Sequence, residues 1–369
     1  MEGVSATGPI LGAKQSSSAR LVRRYKHPEN LGTPLTERDL PRSLSSTSCK
    51  ITISHSKRHI LLGLTNALVS ELLQLDSVGE TQTLGEVGTA DSEVCTAIEK
   101  MTLTPEMEMK FMYQKLEMVT LTKPMKKNMR SGNIHNAIKN CVHFCAFYEQ
   151  LIREVVGPHI LAEFLAEKEK SRENKGGSMA EDAQQNVLSE NTRCVLYQFP
   201  PTVRIYCSHL GRKDLTERIE PLDFNSMDPP EREEAIEEEQ KKWKTLGKLH
   251  NDAEFGHQGG EFNFWMPFVP TDITSTLWAE TVPGKGDFYP FHPLEPGEFM
   301  RFPGTFCRHF AKANISGKTR VSIDFRCSVS SCFDPAYLGR AIMGRRHIMK
   351  EMKFGPDLQP LASETVVTH

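Results

Sequence analysis

Residues 250–267 read His-Asn-Asp-Ala-Glu-Phe-Gly-His-Gln-Gly-Gly-Glu-Phe-Asn-Phe-Trp-Met-Pro, and the second half of that stretch decides the fold. From Glu261 to Val269 the chain is almost wholly apolar, with Gly259-Gly260 before it and Pro270 after it. A run this short and this apolar predicts a strand in a sheet covered on both sides. Period-two alternation puts Asn263, Trp265 and Pro267 on one face and Phe262, Phe264 and Met266 on the other. Asn263 and Trp265 are the candidates for a cavity, with core packing as the equal alternative.

The same texture extends outward from this strand. Short apolar or alternating runs, punctuated by Pro and Gly, predict further strands near 193–199, 202–208, 276–282, 287–292, 298–302, 307–313 and 320–328. Many closely spaced short strands mean a sandwich or a barrel. Along 320–328, Arg320, Ser322, Asp324 and Arg326 alternate with Val321, Ile323 and Phe325, and Arg326 is expected to bridge Asp324, with an extension of the charged row toward substrate as the alternative.

Upstream, 49–185 reads mostly as helix. Leu61, Leu64, Leu68, Leu72 and Leu75 form one buried stripe, and Ile134, Ile138, Cys141, Cys145, Tyr148 and Ile152 a second. Gly157-Pro158 is expected to stop that second helix, with a short helix over 159–170 and a polar loop over 171–187 following it. The layout is thus a leader over 1–48, a helical region over 49–185, a β core over 186–335, and a C-terminal helix or tail over 336–369. An acidic insertion at 212–245, with Glu231 to Glu239 at its centre, is expected to be a solvated helix.

Composition removes several classes of function. The 369 residues carry 45 basic and 47 acidic side chains, so no general attraction to nucleic acid is expected. The longest apolar run, Ile60 to Leu75, is interrupted by Asn66, Ser70 and Glu71 and is too polar to span a bilayer. Nine cysteines without a CxxC pair argue against a secreted disulfide scaffold and for a reducing compartment. Cys141 and Cys145, around His143, read as small hydrophobes on a helical stripe rather than as a metal site. The first 30 residues, with Glu2 and Glu29 as their only acids, read as a disordered leader. A cytoplasmic location is expected, with organelle import by that segment as the alternative.

The chemistry sits at both ends of the opening stretch and beyond it. On an extended backbone His250 and Asp252 point to the same side, where an imidazole and a carboxylate can grip one divalent ion. His309, in another predicted strand, is a candidate third ligand. Two His and one carboxylate on one face of an octahedron leave three open positions, the arrangement of non-haem Fe(II) oxygenases. Further on, Arg320 and Ser322 share a face and together can hold a carboxylate. Plainer readings stand beside these: a surface turn at His250 and Asp252, a backbone-bonded core imidazole at His309, and a surface ion pair at Arg320. His257, with Glu261 four residues on, competes as a ligand or sits over the substrate. Tyr206 and Arg204 are candidates for a hydrogen bond to a cosubstrate.

The order HxD, the Gly297-Glu298 to Phe302 turn, His309, Asn314 and then Arg320-Val321-Ser322 resembles the Fe(II)/2-oxoglutarate dioxygenase superfamily. His250 to His257 followed by Gly260 to Pro267 is similar to its phytanoyl-CoA hydroxylase branch. The likeness is closest to oxygenase-like proteins of streptomycin-type biosynthetic clusters, and it covers about 194–330. It implies a double-stranded β-helix, a cupin-like jelly roll, flanked by helices. It also implies that His250, Asp252 and His309 ligate Fe(II), and that Arg320, helped by Ser322, pairs with the distal carboxylate of 2-oxoglutarate. The activity implied is O2-dependent oxidation of an unactivated C–H bond of a small specialised metabolite, with release of succinate and CO2 and with ascorbate as a stimulant. Hydroxylation is the default outcome, and desaturation or oxidative ring closure the variants. Two other classes remain open: a non-oxidative cupin-like isomerase or hydrolase, and an inactive barrel that only binds. The expected partner is a small molecule, and the oligomeric state is open.

Overall fold

The structure, a computed structural model, describes residues 48–77, 133–173, 193–208, 226–243, 247–291, 294–334, 337, 348–361 and 367–368. The expected leader, most of the loop over 171–187 and the first part of the 212–245 insertion lie outside these residues.

The described residues form mainly antiparallel sheet with a few helices. The large sheet joins β1 (Cys49–Thr52), β7 (Glu298–Phe302), β4 (Phe262–Pro267), β9 (Arg320–Val329), β2 (Cys194–Phe199), β10 (Ile348–Lys353) and β11 (Val367–Thr368) in that order, and β3 (Thr202–Tyr206) also pairs with β9. A second sheet holds β6 (Tyr289–Pro290), β5 (Leu277–Ala279) and β8 (His309–Ala311), in that order. Neither sheet closes on itself among the described residues.

Alternation along the central strands sorts the two sides of the large sheet. Phe262, Phe264 and Met266 of β4 and Val321, Ile323 and Phe325 of β9 pack in one cluster with Leu61, Leu64 and Leu68 of α1 (Arg58–Ser77). Phe144 and Tyr148 of α3 (Val142–Leu151), which follows the short α2 (Asn133–Asn140), complete that layer. Each such side chain, buried from water, stabilises the layer by about 1.5–3 kcal/mol. The opposite face turns toward the small sheet, where Trp265 packs with Ala279, Phe291, Met300 and Phe302. Helices thus cover one side, and the polar side chains of β4 and β9 are confined to the other.

Three expectations are corrected. The second helical stripe is not one helix: Cys141 leaves helical geometry and caps α3, its Sγ accepting from Phe144 N at 3.4 Å. Gly157-Pro158 does not end the helix. A π turn over Ile152–Val156 carries the chain directly into α4 (Gly157–Glu173). Glycine is needed at 157 because a Cβ there would lie 2.3 Å from Cζ of Phe354, a residue that follows β10. The basic segment Arg340 to Lys353, expected as a helix or tail, contains β10, which pairs with all six residues of β2.

The acidic helix α5 (Pro229–Trp243) does form, but it is docked rather than merely solvated. Ile236 is fully buried against Trp278, Phe288 and Phe310. Arg308 joins Glu233 on that helix to Glu280. No helix among the described residues is long and apolar enough to cross a membrane.

Candidate metal centre

His250 and His309 face each other across an isolated antiparallel bridge. His309 N donates to His250 O at 2.8 Å, and His250 N to His309 O at 3.2 Å. Residues directly opposed in such a pair project to the same side, and the two imidazole centroids are 4.4 Å apart. Each Nδ1 lies on a backbone carbonyl, Lys248 O for His250 and Cys307 O, at 3.1 Å, for His309. A carbonyl only accepts, so the proton belongs on Nδ1, and each Nε2 keeps its lone pair.

Asp252 enters the same space by a route other than the expected extended backbone. It opens a 3-10 turn, Asp252–Phe255, and its N–H donates to Gly304 O at 2.8 Å. Asn251 caps that turn through a reciprocal pair with Glu254, and Gly256 ends it in the left-handed region at φ 78. Oδ1 of Asp252 then lies 3.6 Å from His250 Nε2 and 3.9 Å from His309 Nε2. One ligand atom from each of the three residues falls within 4.8 Å of the others. The set can hold a metal ion, and its chemistry, two imidazoles and a carboxylate, suits iron.

The second carboxylate oxygen is already engaged. Arg326 donates to Asp252 Oδ2 from Nη2 at 2.8 Å and from Nε at 3.0 Å, and Asn263 Nδ2 donates to the same atom. Arg326 and Asn263 are register partners on β9 and β4, which is why both reach it. The expected Arg326–Asp324 bridge is therefore replaced by Arg326–Asp252, while Asp324 pairs with Arg204 at 2.7 Å. That pairing engages the Arg204 guanidinium through Nε and Nη2. Burial pushes the Asp252 carboxyl up, but Arg326, His250 and His309 outweigh it and hold it well below the usual carboxylate range. Burial, reinforced by His250, pulls His309 down to about 4 against the opposing pull of Asp252, so the ring is neutral.

The other candidates divide. Arg320 is buried on the site face of β9, its guanidinium 5.0 Å from the Tyr206 ring and 5.4 Å from the Trp265 ring. It donates from Nη1 to Ser275 O at 2.8 Å, and among the described residues it makes no ion pair. Burial brings its pKa down to about 10. Among the described residues, its Nε and the buried Ser322 Oγ have no hydrogen-bond partner. Unsatisfied buried polar atoms cost about 1–3 kcal/mol each, so this pair fits an incoming oxygen ligand. Tyr206 offers its ring and not its hydroxyl to Arg320, since the hydroxyl donates to Lys312 O at 2.5 Å. His257 is not brought into the triad; its Nδ1 lies 2.7 Å from Glu261 Oε2.

Sequence reasoning missed the grip of Arg326 and Asn263 on Asp252, together with the Arg326 Nη1 bond to Gln198 Oε1 at 3.1 Å. Only the β4–β9 register reveals it. The Asn251-x-x-Glu254 and Gly256 signals of the turn were readable, and they mark where the extended backbone ends.

No family model matches the chain. Over 91 residues, 25% of its length, the chain is 31% identical to the streptomycin biosynthesis protein StrG of Streptomyces griseus. The match spans 42% of that protein, so the two are partial relatives.

Proposed function

We propose that the chain is an Fe(II)- and 2-oxoglutarate-dependent dioxygenase that oxidises an unactivated C–H bond of a small metabolite on a jelly-roll core. The observation that carries the reading is the placement of each imidazole Nδ1 on a backbone carbonyl, which turns both Nε2 atoms toward Asp252 Oδ1. His250, Asp252 and His309 hold the iron, which with 2-oxoglutarate and O2 supplies the oxidising chemistry and releases succinate and CO2. Arg326 and Asn263 fix Oδ2 so that Oδ1 faces the imidazoles. Arg320 neutralises the distal carboxylate of the cosubstrate, and Ser322 donates its hydroxyl to it. The rings of Trp265 and Tyr206 keep that guanidinium in an apolar setting, where a charge pair is stronger than in water. The part StrG takes in streptomycin biosynthesis supports a small biosynthetic intermediate as substrate.

The test is 2-oxoglutarate-dependent succinate release by the iron-loaded protein, measured first without substrate and then across polar amino-acid-derived and sugar-containing metabolites. Succinate above the no-protein blank, rising with the right metabolite, is the expected result. Absence of even uncoupled turnover, with iron bound, contradicts the proposal.

A further inference from the structure

A second set of ligand-type atoms converges where the helical layer meets the edge of the large sheet. Cys49 opens β1, and His159 and Glu163 lie one turn apart on α4. Sγ of Cys49 is 3.8 Å from His159 Nε2, and that nitrogen is 3.4 Å from Glu163 Oε1. All three donor atoms fall within 4.8 Å of one another. A nucleophile relay would need the carboxylate on Nδ1, the far ring nitrogen, with the thiol on Nε2. Here thiol and carboxylate both approach Nε2, which is the arrangement of ligands around a common cation.

The surroundings fit that reading. Arg301, opposite Cys49 in the β1–β7 register and buried, donates from Nε to Cys49 Sγ at 3.3 Å. Its Nη2 lies 3.0 Å from Glu163 Oε2. The guanidinium thus occupies the outer side of two donors, as partners of metal ligands do, and leaves Oε1 turned to the imidazole. It also offsets one of the two negative charges that a thiolate and a carboxylate bring, so a divalent ion meets a net charge of about minus one. The chain runs through the π turn over Ile152–Val156 directly into α4, the helix that carries His159 and Glu163.

We propose that Cys49, His159 and Glu163 form a second cation site, suited to a thiolate-binding divalent ion of the zinc type, that ties strand β1 to helix α4. One sulfur, one nitrogen and one oxygen donor match zinc's tetrahedral preference with the fourth position left open. The site is independent of the dioxygenase reading and stands or falls separately from it.

The full-length chain, stripped with a chelator and titrated with Co2+, tests it. A thiolate ligand gives a sulfur-to-cobalt charge-transfer absorption that the His250–Asp252–His309 centre cannot produce. The expected result is that band in the wild type, retained in His309→Ala and lost in Cys49→Ser. Should Cys49→Ser fold poorly, Glu163→Gln is expected to weaken the band-forming ion's binding on the order of tenfold. No band in the wild type, a band surviving Cys49→Ser, or unchanged affinity in Glu163→Gln overturns the site.

Discussion

Replacing Arg326 by methionine probes the electrostatic design of the site without touching a ligand. The methionine keeps much of the apolar stem but removes the Nε and Nη2 bonds to Asp252 Oδ2 and the Nη1 bond to Gln198. Asp252 is 1% exposed, so its charge is left buried without a cationic partner. Breaking a buried pair in this way costs about 3–5 kcal/mol, a large share of the roughly 5–15 kcal/mol that holds a domain. The direction of the pH dependence is fixed as well. In the native protein the depressed Asp252 pKa stabilises the fold above about pH 4, and that contribution fades as pH falls through the native value. In Arg326→Met the Arg326 pull that lowers the carboxyl is gone, so the native-state depression shrinks and less stability is lost on acidification than in the native protein. Urea unfolding of the metal-free protein at two pH values measures both effects. Adding Asp252→Asn closes a double-mutant cycle, whose coupling is expected to exceed about 1 kcal/mol. A loss at pH 7 below about 1 kcal/mol, or single effects that simply add, refutes the reasoning.

Three further outcomes follow from the same geometry. The gap between His309's folded value of about 4 and its ordinary 6.5 means the unfolded chain takes up a proton first on acidification; metal-free stability should fall by about 3 kcal/mol from pH 7 to pH 4, and more gently in His309→Gln, by denaturant unfolding. In Gly304→Ala the new Cβ would lie 2.7 Å from the Asn263 amide, displacing the group that holds Asp252; metal affinity should drop about tenfold or more with the fold intact, by Mn2+ titration and circular dichroism. Arg320→Ala should raise the 2-oxoglutarate requirement steeply while iron stays bound, and an unchanged requirement in steady-state assays removes Arg320 as the anchor.

The sheet core was legible because alternation survives burial. The faces read from residues 262–267 and 320–326 are those found, and β7 falls on the expected 298–302. What escaped depends on distant partners. Cys141 looks like one more apolar stripe residue, and only the bond its Sγ accepts from Phe144 N marks a helix start. Gly157-Pro158 resembles a stop until Phe354 is seen filling the space beside it. β10 carries few apolar residues and is a strand because β2 offers it a free edge. Within the site, the histidine and aspartate types were readable from spacing. The choice of Asp252 rather than Asp324 as the partner of Arg326 was not, because it follows from the register of β4 against β9.

The central claim is that two imidazoles and one carboxylate of this chain bind Fe(II) with room left for a 2-oxoacid. Anaerobic addition of Fe(II) and then 2-oxoglutarate to the purified protein addresses it most directly. A visible iron-to-2-oxoglutarate charge-transfer band should appear in the wild type and vanish in His309→Ala. A wild-type solution that stays colourless with iron bound, or a band that persists without His309, contradicts it.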